Sequence, residues 1–575
     1  MPWLVFNTKD GPKRVRLGDG TVTLGRQKGN VIQLDDDRIS RFHAVIESRP
    51  DGLRLKDLGS RNGTRVNGKR VDEWNLKDGD VITLGSHELT VSADDPAPGA
   101  SMTGVAGTGA SLPGVSIPGA AGTGALRAGA TPHHQPERYE LPGEAAGAAP
   151  ARALAQLADS LPSKPFEAGQ IELRDARGRV AHAVQSADSG EAPAEAVTLL
   201  RLMLLVCFRT RASDVHIEPR QDGASVRIRV DGSMVEVCRL KKESATRLLS
   251  MIKVLGDIDI AQRNVVQEGS FSVRVPDRRV DYRLSFSPSL HGQKLVMRVL
   301  DAANSPRYLW DLKLPEPVFR ELERSMRRDS GMVLVCGPTG SGKTSTLYAI
   351  LRSIDATERN VVTIEDPVEI QLENITQMPV DEERGNSFPA LLRSTLRQDP
   401  DVILVGEIRD QETARVAMQA AMTGHLVFST VHSKDTVGTV FRLIDLGIEP
   451  FLVASGLQNL LAQRLVRTLC TFCRTATTPS VEQLREMGEE YSSLRTIYVA
   501  NGCKRCLGTG FAGRRGVFEL LTVSDPLREA IQKQNQPEIM SAARACVFKT
   551  LRQSGYQLVA EGVTTFDEVD RVVGG

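Results

Sequence analysis

Met332-Val-Leu-Val-Cys-Gly337-Pro-Thr-Gly-Ser-Gly-Lys343-Thr344-Ser-Thr-Leu-Tyr-Ala-Ile350 decides the fold. Five apolar residues run into Gly337, Pro338, Thr339, Gly340, Ser341, Gly342, Lys343 and Thr344, which fill G-x-x-x-x-G-K-[ST] in full. Before the loop the pattern predicts a buried strand, Met332 to Cys336. After it a helix is expected over Ser345 to Ile354. Strand, glycine-rich loop and helix are the context in which this motif cradles phosphate. The glycines let backbone N–H groups turn inward, and the helix N-terminus adds its positive dipole end. Lys343 is expected at the β- and γ-phosphates of ATP, and Thr344 on Mg²⁺.

Working outward, further apolar runs end in polar clusters. Val361 to Ile364 leads to Glu365-Asp-Pro-Val-Glu369; Val402 to Val405 leads to Gly406-Glu407-Ile-Arg409-Asp410; Leu426 to Thr430 leads to Val431-His432. Strands alternating with helices predict a mostly parallel sheet, whose carboxyl ends converge on the ligand crevice. Where an Asp-Glu pair would often end the 402–405 strand, Gly406 stands in the Asp position. Glu407 then serves metal or water, with Glu365 or Glu369 supplying the rest. Which of them is the base stays open. His432 is read as a γ-phosphate sensor, with a hydrogen-bonded structural histidine as the alternative.

The chain has 575 residues, 41% hydrophobic and 25% charged, so about three to five domains are expected. Lys plus Arg number 72 against 71 Asp plus Glu. That balance argues against a nucleic-acid motor, and no nucleic-acid partner is expected. No apolar run reaches the ~18–20 residues of a membrane span, and the N-terminus lacks a signal-peptide pattern. Four of the eight cysteines form two C-x-x-C knuckles, Cys470/Cys473 and Cys503/Cys506, with 29 residues between them. Four thiolates suit a closed tetrahedral Zn²⁺ site.

The expected organisation is multidomain. Residues 1–93 carry short alternating runs parted by Asp-Gly and Asn-Gly turns, an all-β sandwich. Residues 94–150 are Gly/Ala/Pro-rich and repeat Ala-Gly-Thr-Gly-Ala at 106–110 and 121–125, the composition of a flexible tether. Residues 151–192 suggest a short helix and a hairpin. An α+β middle domain is placed at 193–304. A C-terminal α/β P-loop domain follows at 305–575, with the zinc insertion at 470–506.

The loop and the three polar clusters around it, the last within Thr423-Gly-His-Leu-Val-Phe-Ser-Thr-Val-His432, resemble the four boxes of the type II secretion and type IV pilus-assembly ATPase family. Upstream, Ala212-Ser-Asp-Val-His-Ile-Glu-Pro219 and Arg227-Ile-Arg-Val-Asp-Gly232 are similar to that family's second N-terminal domain. The resemblance covers roughly 193–575. It implies a homohexameric, ATP-hydrolysing ring in the cytoplasm, peripheral on the inner membrane. Such a ring drives an inner-membrane platform protein so that pilin-like subunits are assembled. By position it makes Arg227, Arg229 and Arg283 the arginines that approach the nucleotide. Two stretches depart from the family: Val266-Gln-Glu-Gly-Ser270 and Gly292-Gln-Lys294. The cysteine knuckles resemble the assembly and secretion branch rather than the retraction branch.

Leu24-Gly-Arg26, Ile39-Ser-Arg-Phe-His43, Asp57-Leu-Gly-Ser-Arg-Asn-Gly-Thr64 and Val66-Asn-Gly68 resemble a forkhead-associated (FHA) domain. That resemblance implies phosphothreonine recognition, with Arg26 and Ser40 on the phosphate, Arg41 assisting, Asn62 on the peptide backbone and His43 bracing the loops. A phosphothreonine-containing partner would then recruit or regulate the motor. The alternative function is a phosphothreonine-binding signalling scaffold whose ATPase half is a passive nucleotide switch.

Overall fold

In a computed structural model, residues 2–8, 11–17, 21–26, 30–34, 36, 38–40, 43–49, 52–58, 60, 62–92, 149–163, 166–182 and 195–574 are described. Nearly all of the expected tether and residues 183–194 lie outside this set. The chain divides into two compact units, Met1–Ala128 and Gly129–Gly575.

The first unit pairs two sheets. One runs in the order Gly11–Arg16, Trp3–Thr8, His87–Ser92, Val81–Leu84, Thr64–Val66, Lys69–Val71; the other runs Ile32–Gln33, Thr21–Gly25, Ala44–Arg49, Gly52–Asp57, Glu73–Leu76. Inward residues recur at every second position, as Leu4/Phe6 and Leu89/Val91, and meet Leu24, Ile46, Leu55 and Ile82 in one core. Asn67 and Gly68 turn the Thr64–Val66 hairpin with φ of 51° and 80°, the double positive φ that a two-residue turn of this hand requires.

In the second unit, an eight-stranded antiparallel sheet comes first. Its order is Val180–His182, Glu172–Arg174, Gln267–Val275, Arg278–Ser289, Gly292–Leu300, Asp214–Arg220, Gly223–Val230, Ser233–Lys241. Helices Pro150–Ser160, Glu195–Thr210 and Lys242–Leu255 share its core through Leu154, Leu200, Leu204, Leu248 and Ile252. Among the described residues, no helix is long and apolar enough to cross a membrane.

The chain then enters a seven-stranded sheet ordered Thr376–Pro379, Val361–Glu365, Val402–Val405, Leu426–Val431, Gly331–Cys336, Leu457–Leu469, Phe511–Thr522. The first six strands pair in parallel and the last is antiparallel. Strands Gly331–Cys336 and Val402–Val405 are buried along their whole length, because helices cover both faces of a parallel sheet. The helix after the phosphate-loop motif spans Lys343–Ser353. It starts two residues earlier than expected, because Gly342 turns the backbone at φ 88° directly into Lys343. Parallel pairing places the ends of four strands, at Cys336, Glu365, Val405 and Val431, along one edge.

Candidate functional site

That edge opens onto a cavity of about 610 Å³. Its walls include Thr339, Gly340, Gly342, Lys343 and Thr344 of the loop, Glu365, Glu369, Glu407 and His432 from the strand ends, and Val299, Leu300 and Pro306 where the chain leaves the middle domain. Gly337 and Pro338 lie behind it, and their carbonyls accept from Lys343 Nζ at 2.8 and 3.1 Å. Burial pushes the Lys343 ammonium down from the ordinary lysine range, with Glu407 pulling the other way. Lys343 makes no ion pair within 4 Å among the described residues. Ser341 Oγ is buried with no partner, and a Cβ at Gly337 would stand 2.6 Å from it. A buried cation on two carbonyls, an orphan hydroxyl and a tight glycine turn fit a phosphate chain with its metal.

The three glutamates differ in what holds them. Glu365 is buried and accepts from Thr363 Oγ1 at 2.5 Å, from Gln377 Nε2 at 3.0 Å and from the Tyr348 hydroxyl. Burial and this bond push the Tyr348 phenol far above its ordinary range. Glu369 is half-exposed, 3.7 Å from Arg283 Nη1 of the middle domain, and its N–H donates to Tyr348 Oη at 3.3 Å. Glu407 lies between Arg409, with which it pairs closely, and His432 Nε2 at 3.5 Å.

Arg283 is thus brought to the cavity edge. Arg227 and Arg229 are not. Arg227 donates to Glu218 at 2.7 Å, and Arg229 donates to the Gly232 carbonyl at 2.9 Å. Both are held within the middle domain.

Several residues that shape this site carry no local sequence signal. Gln463, on the strand Leu457–Leu469, accepts from Thr346 at 2.7 Å and donates to the Ser341 carbonyl at 2.9 Å, bracing loop and helix together. Tyr348, Gln377 and Arg352 carry none either; only their helix and strand placement brings them in.

Residues 189–571 match the family model described as type II/IV secretion system protein. The chain belongs to that family. Residues 22–85 match the FHA domain model, so this is a secretion ATPase carrying an N-terminal FHA domain. A type II secretion system protein E of Dickeya dadantii is 43% identical over 385 residues, covering 67% of this chain and 76% of its own length. The type IV pilus assembly ATPase PilB of Thermus thermophilus is 41% identical over 365 residues, covering 63% of this chain and 41% of its own. The solved FhaA FHA domain, in complex with the intracellular domain of Rv3910, is 37% identical; it covers 16% of this chain and 99% of its own, with a TM-score of 0.15.

Elsewhere in the ATPase unit, Cys470, Cys473, Cys503 and Cys506 gather with all four Sγ atoms within 4.8 Å of one another. The Cys473–Cys506 and Cys503–Cys506 sulfurs are 3.8 and 3.7 Å apart. Zn–S bonds of about 2.3 Å in a tetrahedron put sulfurs about 3.8 Å apart. The Cys503 and Gly510 N–H groups each point at Cys506 Sγ at 3.2 Å, as donors to a thiolate do.

In the FHA unit, His43 is fully buried. The Ser40 N–H donates to its Nδ1 at 3.1 Å, so Nε2 carries the proton and faces the Gly63 carbonyl at 3.3 Å. Asn62 donates to the Arg38 carbonyl at 2.6 Å. The Arg26 N–H donates to the Ser40 carbonyl at 3.1 Å. Arg26, Ser40 and Asn62 therefore sit on loops tied together around His43. Arg41 lies outside the described residues.

Proposed function

We propose that the chain is a hexameric ATP-hydrolysing motor of secretion or pilus assembly, acting on an inner-membrane platform protein so that pilins or pseudopilins are assembled. What carries this reading is the convergence of Lys343, Thr344, Glu407 and His432 on one cavity whose rim includes the exit from the middle domain. Relatives named for type II secretion and for pilus assembly support it.

In this reading the loop N–H groups and Lys343 hold the β- and γ-phosphates, and Thr344 holds Mg²⁺, which neutralises phosphate charge. Glu407 is the base that orients and deprotonates water. It is less enclosed than Glu365, whose carboxylate is already saturated by three donors, and Glu365 is then a structural anchor. His432, beside Glu407, senses the γ-phosphate. Arg283, paired to Glu369 across the domain boundary, offers positive charge from the middle domain. Arg227 and Arg229, held on Glu218 and Gly232, serve that domain's own packing within one chain. The four cysteines hold a structural Zn²⁺. Arg26, Ser40, Arg41 and Asn62 receive phosphothreonine of a partner, which recruits or regulates the motor at the membrane.

The test is magnesium-dependent ATP hydrolysis by the purified chain against Glu407→Gln, with light-scattering mass measured on the same samples. Activity confined to the hexamer and lost in the variant is expected. Equal turnover by the variant would overturn the assignment of Glu407.

A further inference from the structure

At the far end of the middle-domain sheet lies a second cavity of about 310 Å³. It belongs to none of the machinery above. The hairpin turns after Asp214–Arg220 and Arg278–Ser289 form one wall, and the helix Lys242–Leu255 forms the other. Strand Gly292–Leu300 joins the two cavities: Gly292 and Gln293 line this one, Val299 and Leu300 the nucleotide cavity. Eight steps of about 3.3 Å put them roughly 26 Å apart.

The lining carries Arg220, Lys242, Lys253, Arg263 and His291, and no Asp or Glu. Of the four Lys and Arg groups, Arg220 faces Glu218 at 3.4 Å. The others make no ion pair within 4 Å among the described residues. Lys253 is only 2% exposed. Its ammonium is held by the Asp259 and Gln262 carbonyls and Gln267 Oε1 at 2.7–3.2 Å, over the Phe286 ring. All three donors are satisfied and no carboxylate lies within 4 Å among the described residues, Asp259 acting on the charge only from farther off. A buried cation without a close counter-ion is electrostatically incomplete. Ala224, Ala245, Leu249 and Ile260 add apolar wall. The volume is at the small end for ligand sites.

We propose that this cavity binds a small phosphate ester, its phosphate facing Lys242 and Arg263 in the field of Lys253 and its organic part against Leu249 and Ile260. The ligand sits at one end of a strand whose other end forms the nucleotide cavity. A soluble phosphorylated metabolite and a glycerophosphate lipid headgroup present the same chemistry.

The experiment uses the full chain carrying Arg26→Ala and saturated with a non-hydrolysable ATP analogue and Mg²⁺, so that neither the FHA loops nor the P-loop takes the probe. Glycerol 1-phosphate is titrated calorimetrically in one arm. Vesicles of phosphatidylglycerol in phosphatidylcholine are sedimented with the protein in the other. Saturable binding in at least one arm is expected, weakened tenfold or more by Lys242→Ala with Arg263→Ala and unchanged by Arg485→Ala on the zinc insertion. Each lost charge-assisted contact is worth about a factor of ten. Both substitutions are at the cavity mouth and leave Lys253 in place, so folding is preserved; circular dichroism checks it. Binding of the soluble ester identifies a metabolite, and binding of vesicles alone identifies a headgroup. No binding in either arm, or binding that survives the double substitution, overturns the proposal.

Discussion

Glu568→Gln tests how the C-terminal helix and the middle domain are held together. Glu568 opens the helix Phe566–Val573 with a side chain that is 1% exposed. Arg467 reaches it at 2.6 and 3.0 Å and Arg571 at 2.7 and 2.8 Å; the Arg467 N–H adds a fifth bond at 3.0 Å. Burial alone would raise its pKa, but the two guanidiniums outweigh burial and hold it at about 2, from an ordinary 4.5. At 1.36 kcal/mol per pKa unit that difference is worth about 3 kcal/mol. The folded pKa is the lower one. The stabilisation is therefore complete above pH 4.5 and lost as pH falls through that value toward 2. Glutamine keeps the shape and removes the charge, leaving two arginines facing an amide. Backbone hydrogen exchange over 566–573, corrected for intrinsic rates, reads local opening directly. Protection there is expected to drop about a hundredfold at neutral pH, and the variant's residual protection should no longer fall between pH 4.5 and 3. Arg467 also donates to Ser233 Oγ of the middle domain at 3.1 Å, so exchange at the 231–233 turn should rise too. A loss of less than about fivefold, or an unchanged pH profile, would refute the reasoning.

Gln463→Ala removes the acceptor of Thr346 and the donor to the Ser341 carbonyl; ATP affinity should fall about thirtyfold with the fold intact, measured with a fluorescent ATP analogue, since two buried bonds at about 1 kcal/mol each are lost. Cys503→Ser should reduce bound zinc from one per chain to well below one by elemental analysis, and loosen the 470–506 segment to protease while the P-loop still binds nucleotide. Burial holds the His43 pKa below its ordinary 6.5, and the neutral ring is what accepts from Ser40. Folding of the FHA unit is thus favoured above pH 6.5 and weakens as pH falls toward the lower folded value. Phosphothreonine-peptide affinity should decline over the same window, and a flat profile down to pH 5 would count against the bracing role of His43.

What was legible in the sequence was what local pattern encodes. The run Met332–Cys336 is apolar throughout because a central parallel strand is covered on both faces, so strand, loop and helix are legible in the local pattern alone. Four strand ends could be gathered on one edge for the same reason. The two knuckles gave the cysteine cluster because metal ligation fixes short spacings. What stayed hidden was set by pairing between distant elements. Gln463 reaches the loop only because Leu457–Leu469 pairs beside Gly331–Cys336. Whether Arg227, Arg229 or Arg283 reaches the cavity depends on which strand carries it and how far along: Arg229 and Arg283 share one cross-strand row, through Asp214 and Arg298, but on strands three apart. Arg283 stands opposite Arg298 near the end that carries Leu300, whereas Arg227 is opposite His216, next to Glu218 on the same strand. Position in a family motif could not separate these three.

The same distinction bears on how nucleotide occupancy could be felt outside the cavity. Tyr348 is on the helix that begins at Lys343, five residues on, and buried against the neighbouring strand. Its hydroxyl donates to Glu365 and accepts from the Glu369 N–H at 3.3 Å. Glu369 in turn faces Arg283 at 3.7 Å. A rigid helix cannot shift at Lys343 without carrying Tyr348, and Glu365 cannot follow freely, because Thr363 and Gln377 hold its other oxygen. The loop beyond Glu369 is held too, by Gln377 at the Ile370 carbonyl and the Leu372 N–H, so what is left to yield is the Glu369–Arg283 contact, which is long, half-exposed and so weak on its own. A weak contact beside a saturated one is where small motion at the phosphates would be released, toward the middle domain rather than into the sheet.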